Sequence, residues 1–130
     1  MFEKRAFHRA AALGIAAVAL GLSASGALAF SASFNWCGAG SPSFTLADVP
    51  PGTATLQFAM TDLNVPSFHH GGGKVAHHGQ AEVPCGAFSA GFFGPSPPAG
   101  QVHTYQFTVK ALAADGAVLA TATARRKFPE

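Results

Sequence analysis

The side chains that could bind or protonate a ligand are concentrated between residues 60 and 105. Five of the six histidines lie there: His69, His70, His77, His78 and His103. Asp62 ends a segment of alternating apolar residues, and Tyr105 follows His103 by two positions, so His103 and Tyr105 share a face if that segment is a strand. Imidazole and phenol groups donate hydrogen bonds to phosphate and carboxylate oxygens. The set predicts an anion pocket, unless these side chains only satisfy one another in the core.

The histidines also allow a second hypothesis, a zinc or copper site. His69-His70 and His77-His78 form two pairs that Gly71-Gly72-Gly73 separates. Imidazole and carboxylate groups bind both metals, and His103 and Asp62 could complete the set. The spacing matches no compact ligand motif, and the glycine segment would have to bring the two pairs together.

Motifs for catalysis are missing from the sequence. It contains no GxSxG nucleophile turn, and its six Asp and Glu residues are too few to suggest the paired carboxylates of a glycosidase. We therefore expect a binding protein that uses no cofactor, and not an enzyme.

The N-terminus has the pattern of a secretory signal peptide. Basic residues at positions 4, 5 and 9 precede an apolar run over residues 10–22, and Ala27-Leu28-Ala29 supplies small residues at the cleavage site. We predict cleavage after Ala29, with residues 1–29 removed and residues 30–130 exported as one domain to the periplasm or the medium. The alternative is an uncleaved anchor, although the run is shorter than the ~20 residues of a membrane-spanning helix. After cleavage we expect no stable membrane insertion.

The two cysteines of the chain, Cys37 and Cys85, both follow the predicted cleavage site. An oxidising compartment favours a disulfide between them, and closing a loop of this length stabilises a small domain by about 4 kcal/mol on a chain-entropy estimate. Free thiols and metal-ligating thiolates are the alternatives, but the sequence has no CxxC pair.

Composition and charge restrict the partners of the domain. Low charge (11%) with 12 Phe residues is unlike a disordered chain. Beyond residue 29 there are five Lys and Arg against five Asp and Glu, so the sequence pI of about 8.8 owes much to the signal peptide. We predict no nucleic-acid partner and no basic patch for anionic membranes, and we interpret the cluster 125–127 as a solvated strand end.

The elements that must position these side chains are short strands. Alternation of apolar and polar residues predicts strands over 30–36, 44–46, 53–60, 74–77, 102–112 and 118–124. Asp115-Gly116 is a hairpin signal between the last two, and residues 84–100 form a Gly-, Pro- and Phe-rich loop. Short strands separated by turn signals predict an all-β sandwich or barrel.

Five motifs resemble those of the phosphatidylethanolamine-binding protein family, which is also called Raf kinase inhibitor-like. Residues 41–46 (SPSFTL), 49–53 (VPPGT) and 62–66 (DLNVP) are similar to SPxLxW, PxGTxS and DPDxP. Residues 94–98 (GPSPP) and 102–109 (VHTYQFTV) are similar to GPxPP and GxHRYxF. The resemblance covers nearly the whole domain. It implies a β-sandwich of the small bacterial type with little helix, it is compatible with a homodimer, and it implies a pocket for small anions or phospholipid head groups.

The resemblance also implies which residues form the pocket. By position in the motifs these are Asp62, Pro66, Pro97, Pro98, His103 and Tyr105. A further histidine, from a strand between the two halves, is His70 or His78. If Asp62 pairs with a histidine, the imidazole is held as a cation that can face an anion, so we expect binding to strengthen below about pH 6.5.

Four positions depart from the family motifs. Asn64 stands where the family has an acid and Thr104 where it has an arginine, and Leu63 and Gln101 also differ. If the acid and the guanidinium pair in the family, their joint replacement leaves a neutral pair, whereas losing one alone would leave an unpaired charge. The departures predict a less polar pocket rim. The ligand that the resemblance implies is small and anionic or phosphorylated, and the motifs do not fix its identity.

Overall fold

The computed structural model describes residues 29–38 and 40–130, so the predicted signal peptide lies outside the described residues apart from Ala29. Seven strands follow one another along this part of the chain: β1 (Ser31–Asn35), β2 (Ser43–Ala47), β3 (Thr55–Asp62), β4 (Gly72–Ala76), β5 (Glu82–Val83), β6 (His103–Leu112) and β7 (Val118–Phe128). Within these residues there is no helix, and therefore none that is long and apolar enough to cross a membrane.

The strands form two antiparallel sheets, which confirms the all-β prediction. One sheet has the order β1-β2-β5 and the other β4-β3-β6-β7. Six strands correspond to predicted segments, whereas β5 was not predicted because two residues are too short to show a period. β6 and β7 are joined through Asp115-Gly116, where the Ala113 N–H donates to the Ala117 carbonyl at 2.9 Å, as the hairpin signal predicted.

The inward faces of the two sheets meet in an aromatic core. Every second residue of β3 and of β6 is buried, which is the period of a strand with one covered face. Phe34 of β1 contacts Phe107 of β6 edge to face, with ring centroids 4.9 Å apart. Phe44 of β2 lies 4.5 Å from Phe58 of β3. Such pairs add about 0.5–1.5 kcal/mol each beyond the area that they bury.

The predicted disulfide is present and holds a long loop against the three-stranded sheet. Cys37 and Cys85 are bonded, with their Cα atoms 6.0 Å apart. Next to this link the buried Ser41 accepts the Gly86 N–H at its carbonyl (2.8 Å) and the Phe88 N–H at its hydroxyl (3.1 Å). The disulfide and these hydrogen bonds fix the first half of the loop between β5 and β6.

The second half of this loop runs beside the start of β4. The backbones of Gly71 and Phe92 form an isolated antiparallel bridge, and the Phe93 N–H donates to the His70 carbonyl at 2.8 Å. Gly71 has φ of 73°, and a Cβ at this position would lie 1.9 Å from the Gly91 carbonyl oxygen. Only glycine permits this approach, which places His70 next to the loop.

Candidate functional site

Asp62, the last residue of β3, is buried at one end of the four-stranded sheet. Its Oδ1 accepts the backbone N–H groups of Asn64 (2.9 Å) and Val65 (3.2 Å). An aspartate that bonds the backbone two and three residues ahead starts a tight turn. The carboxylate therefore ends the strand and begins the turn over residues 63–68.

The second oxygen of Asp62 faces the first residue of β6. His103 Nδ1–H donates to Asp62 Oδ2 at 2.6 Å, and both side chains are buried. Burial raises the pKa of Asp62, but the hydrogen bonds from His103 and from two backbone N–H groups outweigh it, and the net pKa lies below its usual value. Asp62 is therefore a carboxylate that three donors hold in place.

The other ring nitrogen of His103 also has a partner. Nε2 lies 2.9 Å from Gln101 Oε1, at a position where the resembled motif has glycine. Both imidazole nitrogens therefore have a hydrogen-bond partner among the described residues.

Tyr105 lies beneath this pair on the same face of β6 and pairs in register with Asp62. Its ring packs edge to face between His70 (5.5 Å between centroids) and Trp36 (5.6 Å). Burial, and after it the negative charge of Asp62, raise the pKa of Tyr105 above its usual value. The nearby backbone of Ser96 lowers the pKa by a smaller amount. In the described part of the chain the buried hydroxyl nevertheless has no partner with hydrogen-bond geometry. It is an unused donor at the base of the site.

His70 approaches the same region from the segment that precedes β4. It is buried, and its Nδ1 lies 2.8 Å from the Phe93 carbonyl oxygen. A carbonyl only accepts, so Nδ1 carries the proton and Nε2 is the nitrogen left for other partners. The loop contact described above therefore also orients this imidazole.

These side chains surround a small cavity of about 110 Å³. Its lining consists of Asp62, Val65, Phe68, His70, Ser96, Pro98 and His103. At roughly 30 Å³ per water molecule, the volume corresponds to about four waters. This is the scale of a phosphate or carboxylate group, well below the pocket of a drug-sized ligand.

The structure brings most of the predicted pocket residues together. Asp62, His70, Pro98 and His103 line the cavity, and Tyr105 packs directly beneath them. Asp62 and the His103–Tyr105 face meet because β3 and β6 are neighbours whose inward residues are in register.

Besides Tyr105, which packs beneath the lining, three predicted residues are not part of it. His78 is exposed beyond the C-terminal end of β4, and because β4 is antiparallel to β3 it lies at the opposite end of the sheet from Asp62. Pro97 is flanked by the lining residues Ser96 and Pro98, and adjacent residues of extended chain point to opposite sides. Pro66 lines a separate groove.

Four residues that line the cavity or contact His103 were not predicted from the sequence: Val65, Phe68, Ser96 and Gln101. Val65 and Ser96 belong to quoted motifs, and Gln101 was noted only as a departure. Phe68 lies two positions before His70, and no period signals its place because residues 63–68 form a turn.

The replaced motif positions do meet. The Asn64 side-chain oxygen accepts the Thr104 N–H at 2.9 Å, and the Leu63 N–H donates to the Thr104 carbonyl at 2.8 Å. These contacts link the turn after β3 to the backbone of β6; the side chain of Thr104 takes no part in them, so the hypothesis of a joint replacement stays a prediction.

The metal hypothesis gains no support from the described residues. They include no group of three or more His, Cys, Asp or Glu side chains that could hold a metal ion. His70 and His77 flank opposite ends of β4, so that about 20 Å of extended chain separates the two histidine pairs.

Comparison with known proteins gives a consistent assignment. The sequence model of the phosphatidylethanolamine-binding protein family matches residues 22–128. The fold is similar to the crystal structure of a phosphatidylethanolamine-binding protein homologue, CT736, from Chlamydia trachomatis, with a TM-score of 0.60 and 19% identity over 78% of this chain and 98% of that one. It is also similar to YbcL of E. coli, described as a member of the mammalian family, with a TM-score of 0.54 and 23% identity over 68% of this chain and 79% of that one. No curated protein matches the sequence.

Proposed function

Because the chain belongs to the phosphatidylethanolamine-binding protein family, we propose that it binds a small anion, a phosphate ester or a phospholipid head group, in the cavity at Asp62, His70 and His103, and that it is not an enzyme. One observation carries the proposal: a buried carboxylate–imidazole pair beside a second buried imidazole and a tyrosine hydroxyl that has no hydrogen-bond partner among the described residues.

The donors around the cavity suit an anion. The negative charge of Asp62 is already compensated by His103 and by two N–H groups, which reduces its repulsion of a ligand oxygen. The Tyr105 and Ser96 hydroxyls then supply donors, and His103 Nε2 adds one once the ligand displaces Gln101. Hydrogen bonds to an anion are about twice as strong as neutral ones. The ligand would complete the hydrogen bonding of Tyr105.

The rim of the cavity favours a ligand with an apolar neighbour. Val65 is 42% exposed and Phe68 50% exposed, and both line the cavity. Exposed apolar side chains next to a polar pocket fit a phosphate that is attached to a hydrocarbon chain as well as a free phosphate. The head group of a lipid and a soluble phosphate ester share this chemistry, so the experiment must separate them.

Export is part of the same proposal. A disulfide between Cys37 and Cys85 supports an oxidising compartment, and the pattern of residues 1–29 supports transport to the periplasm or the medium. Mass spectrometry of the exported protein would test this: a chain that begins at Phe30 is expected, and a chain that retains Met1 would contradict it.

Thermal shift measurements test the binding site. Inorganic phosphate, O-phosphorylethanolamine and acetate are titrated at pH 5.5 and 7.5 against the wild type, His103→Asn and the matched control His78→Asn, which changes an exposed histidine at the far end of β4. A ligand at 100 times its Kd stabilises by about 2.7 kcal/mol. We expect a shift for wild type and control, larger at pH 5.5, and none for His103→Asn.

A second arm separates the two ligand sources. Sedimentation with phosphatidylethanolamine vesicles is compared with the response to soluble O-phosphorylethanolamine. Absence of a shift with every anion and no binding to vesicles would contradict the proposal, and so would a His103→Asn variant that responds like the wild type.

A further inference from the structure

The outward face of the four-stranded sheet differs in charge from the rest of the domain. The odd-numbered residues of β3 and β7 and the even-numbered residues of β4 and β6 point away from the core; we call this surface the outer face. It carries the exposed cations Lys74, Lys110, Arg125 and Lys127. It does not include Asp62 and His103, which are inward residues and line the cavity.

The cations of the outer face have no carboxylate partners among the described residues. The fifth cation beyond residue 29, Arg126, points inward, where it donates to the Phe34 carbonyl at 3.1 Å and pairs with Glu130. The remaining acids lie elsewhere: Asp62 is buried, Glu82 is in the other sheet, and Asp48 and Asp115 are in turns. A domain with no net charge therefore has one strongly cationic face.

Strand register fixes the spacing of these charges. Lys74 and Lys110 are both paired with Gln57 of β3, so two strand spacings, about 10 Å, separate their Cα atoms. Arg125 is paired with Gln106, about 13 Å along β6 from Lys110, and its Nε–H donates to the Gln106 side-chain oxygen at 2.7 Å. Neighbouring charges lie within about one to two Debye lengths, so their fields partly add.

The outer face is also indented. Two hollows of about 480 and 260 Å³ share Gln57 and Ala59; Lys74 lines the first and Lys110 the second. The surface is indented here because two residues with small side chains, Ala59 of β3 and Gly72 of β4, are paired. Threonine hydroxyls and a glutamine amide thus lie beside two ammonium groups, in a trough that crosses three strands.

We propose that the outer face binds an acidic polysaccharide along this trough. Carboxylate or sulfate groups would face Lys74, Lys110 and Arg125, and sugar hydroxyls would meet the threonine and glutamine side chains. No aromatic side chain occupies the outward positions of these strands, so nucleic-acid bases would have no stacking platform between Lys74 and Lys110. The exposed Phe68 lines one end of the first hollow, but between Lys74 and Lys110 the lining residues include no large exposed apolar side chain that could enter a bilayer.

The test is binding of the oxidised domain to heparin, with neutral dextran as the reference polymer. The variant Lys74→Gln/Lys110→Gln removes two charges beside the trough. The control Ser31→Glu/Ser89→Glu changes the net charge by the same amount at exposed positions off the outer face. Circular dichroism verifies that both variants fold.

We expect the Kd for heparin to rise at least tenfold in the lysine variant and less than threefold in the control. We also expect the salt dependence of log Kd to become shallower by about two for the lysine variant, one for each lost cation. The response to O-phosphorylethanolamine should be unchanged in both variants, so a failure here is distinguishable from failure of the cavity.

Three results would overturn the proposal. The first is equal weakening in both variants, which would mean that only net charge matters. The second is wild-type binding to heparin no stronger than to dextran. The third is tighter binding to duplex DNA or to anionic vesicles than to heparin at the same salt concentration.

Discussion

Replacing Asp62 by asparagine tests whether the carboxylate–imidazole pair stabilises the pocket end of the sandwich. The variant keeps a side-chain oxygen for the N–H groups of Asn64 and Val65, but it loses the charged oxygen that His103 Nδ1 contacts at 2.6 Å. A hydrogen bond to a charged group contributes about 1.5–3 kcal/mol, and the neutral amide costs less to bury. We therefore expect a loss of about 2 kcal/mol, which lowers the Tm of a domain of about 100 residues by about 8–16 °C.

The loss should depend on pH in a defined direction. The pKa of Asp62 is lowered in the folded protein, so the carboxylate stabilises the fold fully above its unfolded pKa of about 3.9 and stops doing so as the pH falls toward the folded pKa. The stability difference between wild type and Asp62→Asn should hold at pH 5 and above and shrink by pH 3.

Urea unfolding followed by tryptophan fluorescence measures this difference. Trp36 is the only tryptophan, and its indole N–H donates to the Lys127 carbonyl at 2.8 Å, so its emission reports the contact between β1 and β7. The matched control is Asp48→Asn, at an exposed turn residue with φ of 57°, a conformation that asparagine tolerates. A gap that stays constant down to pH 3, or equal stability of the two variants at pH 7, would refute this reasoning.

Three further changes have defined expected outcomes. Replacing Cys37 and Cys85 by serine should reduce the free energy of unfolding in urea by about 4 kcal/mol, because the loop that spans 48 residues is no longer closed in the unfolded chain; a loss under 1 kcal/mol would contradict this. Gln101→Ala should lower the Kd for phosphate by about 2- to 10-fold, because it frees His103 Nε2 from a hydrogen bond of about 0.5–1.5 kcal/mol. Calorimetry measures this Kd, and an unchanged value would show that Gln101 does not compete with the ligand. Tyr105→Phe should raise the Tm of the unliganded protein, because it removes a buried hydroxyl that finds no partner in the part of the chain that the structure describes. It should also weaken phosphate binding, and a lower Tm would indicate that the hydroxyl is already satisfied.

The local pattern of the chain was enough to predict the two strands that build the site. Alternation in β3 and β6 placed Asp62, His103 and Tyr105 on buried faces, because the period of two is a property of each strand by itself. Two cysteines allow one pairing, so the disulfide also followed from the sequence. The order of the family motifs indicated the fold that the comparisons support.

The choice between histidines could not be made from the sequence. His70 and His78 both adjoin β4, and only the antiparallel pairing of β4 with β3 puts His70 at the end where Asp62 lies. The contacts that complete the site are also non-local: Asn64 meets Thr104 across 40 positions, and Phe93 meets His70 across 23. No periodicity in a turn encodes such contacts.

The cationic outer face is the clearest case of a property that only the tertiary structure decided. By count the charges beyond residue 29 cancel, which is why no basic patch for nucleic acid or for anionic membranes was predicted. Strand register gathers Lys74, Lys110 and Arg125 from positions up to 51 residues apart onto one surface, while the acids remain in turns, in the other sheet or in the interior. Charge composition is a sum over the chain, whereas an electrostatic surface depends on which strands are neighbours and which side chains point outward.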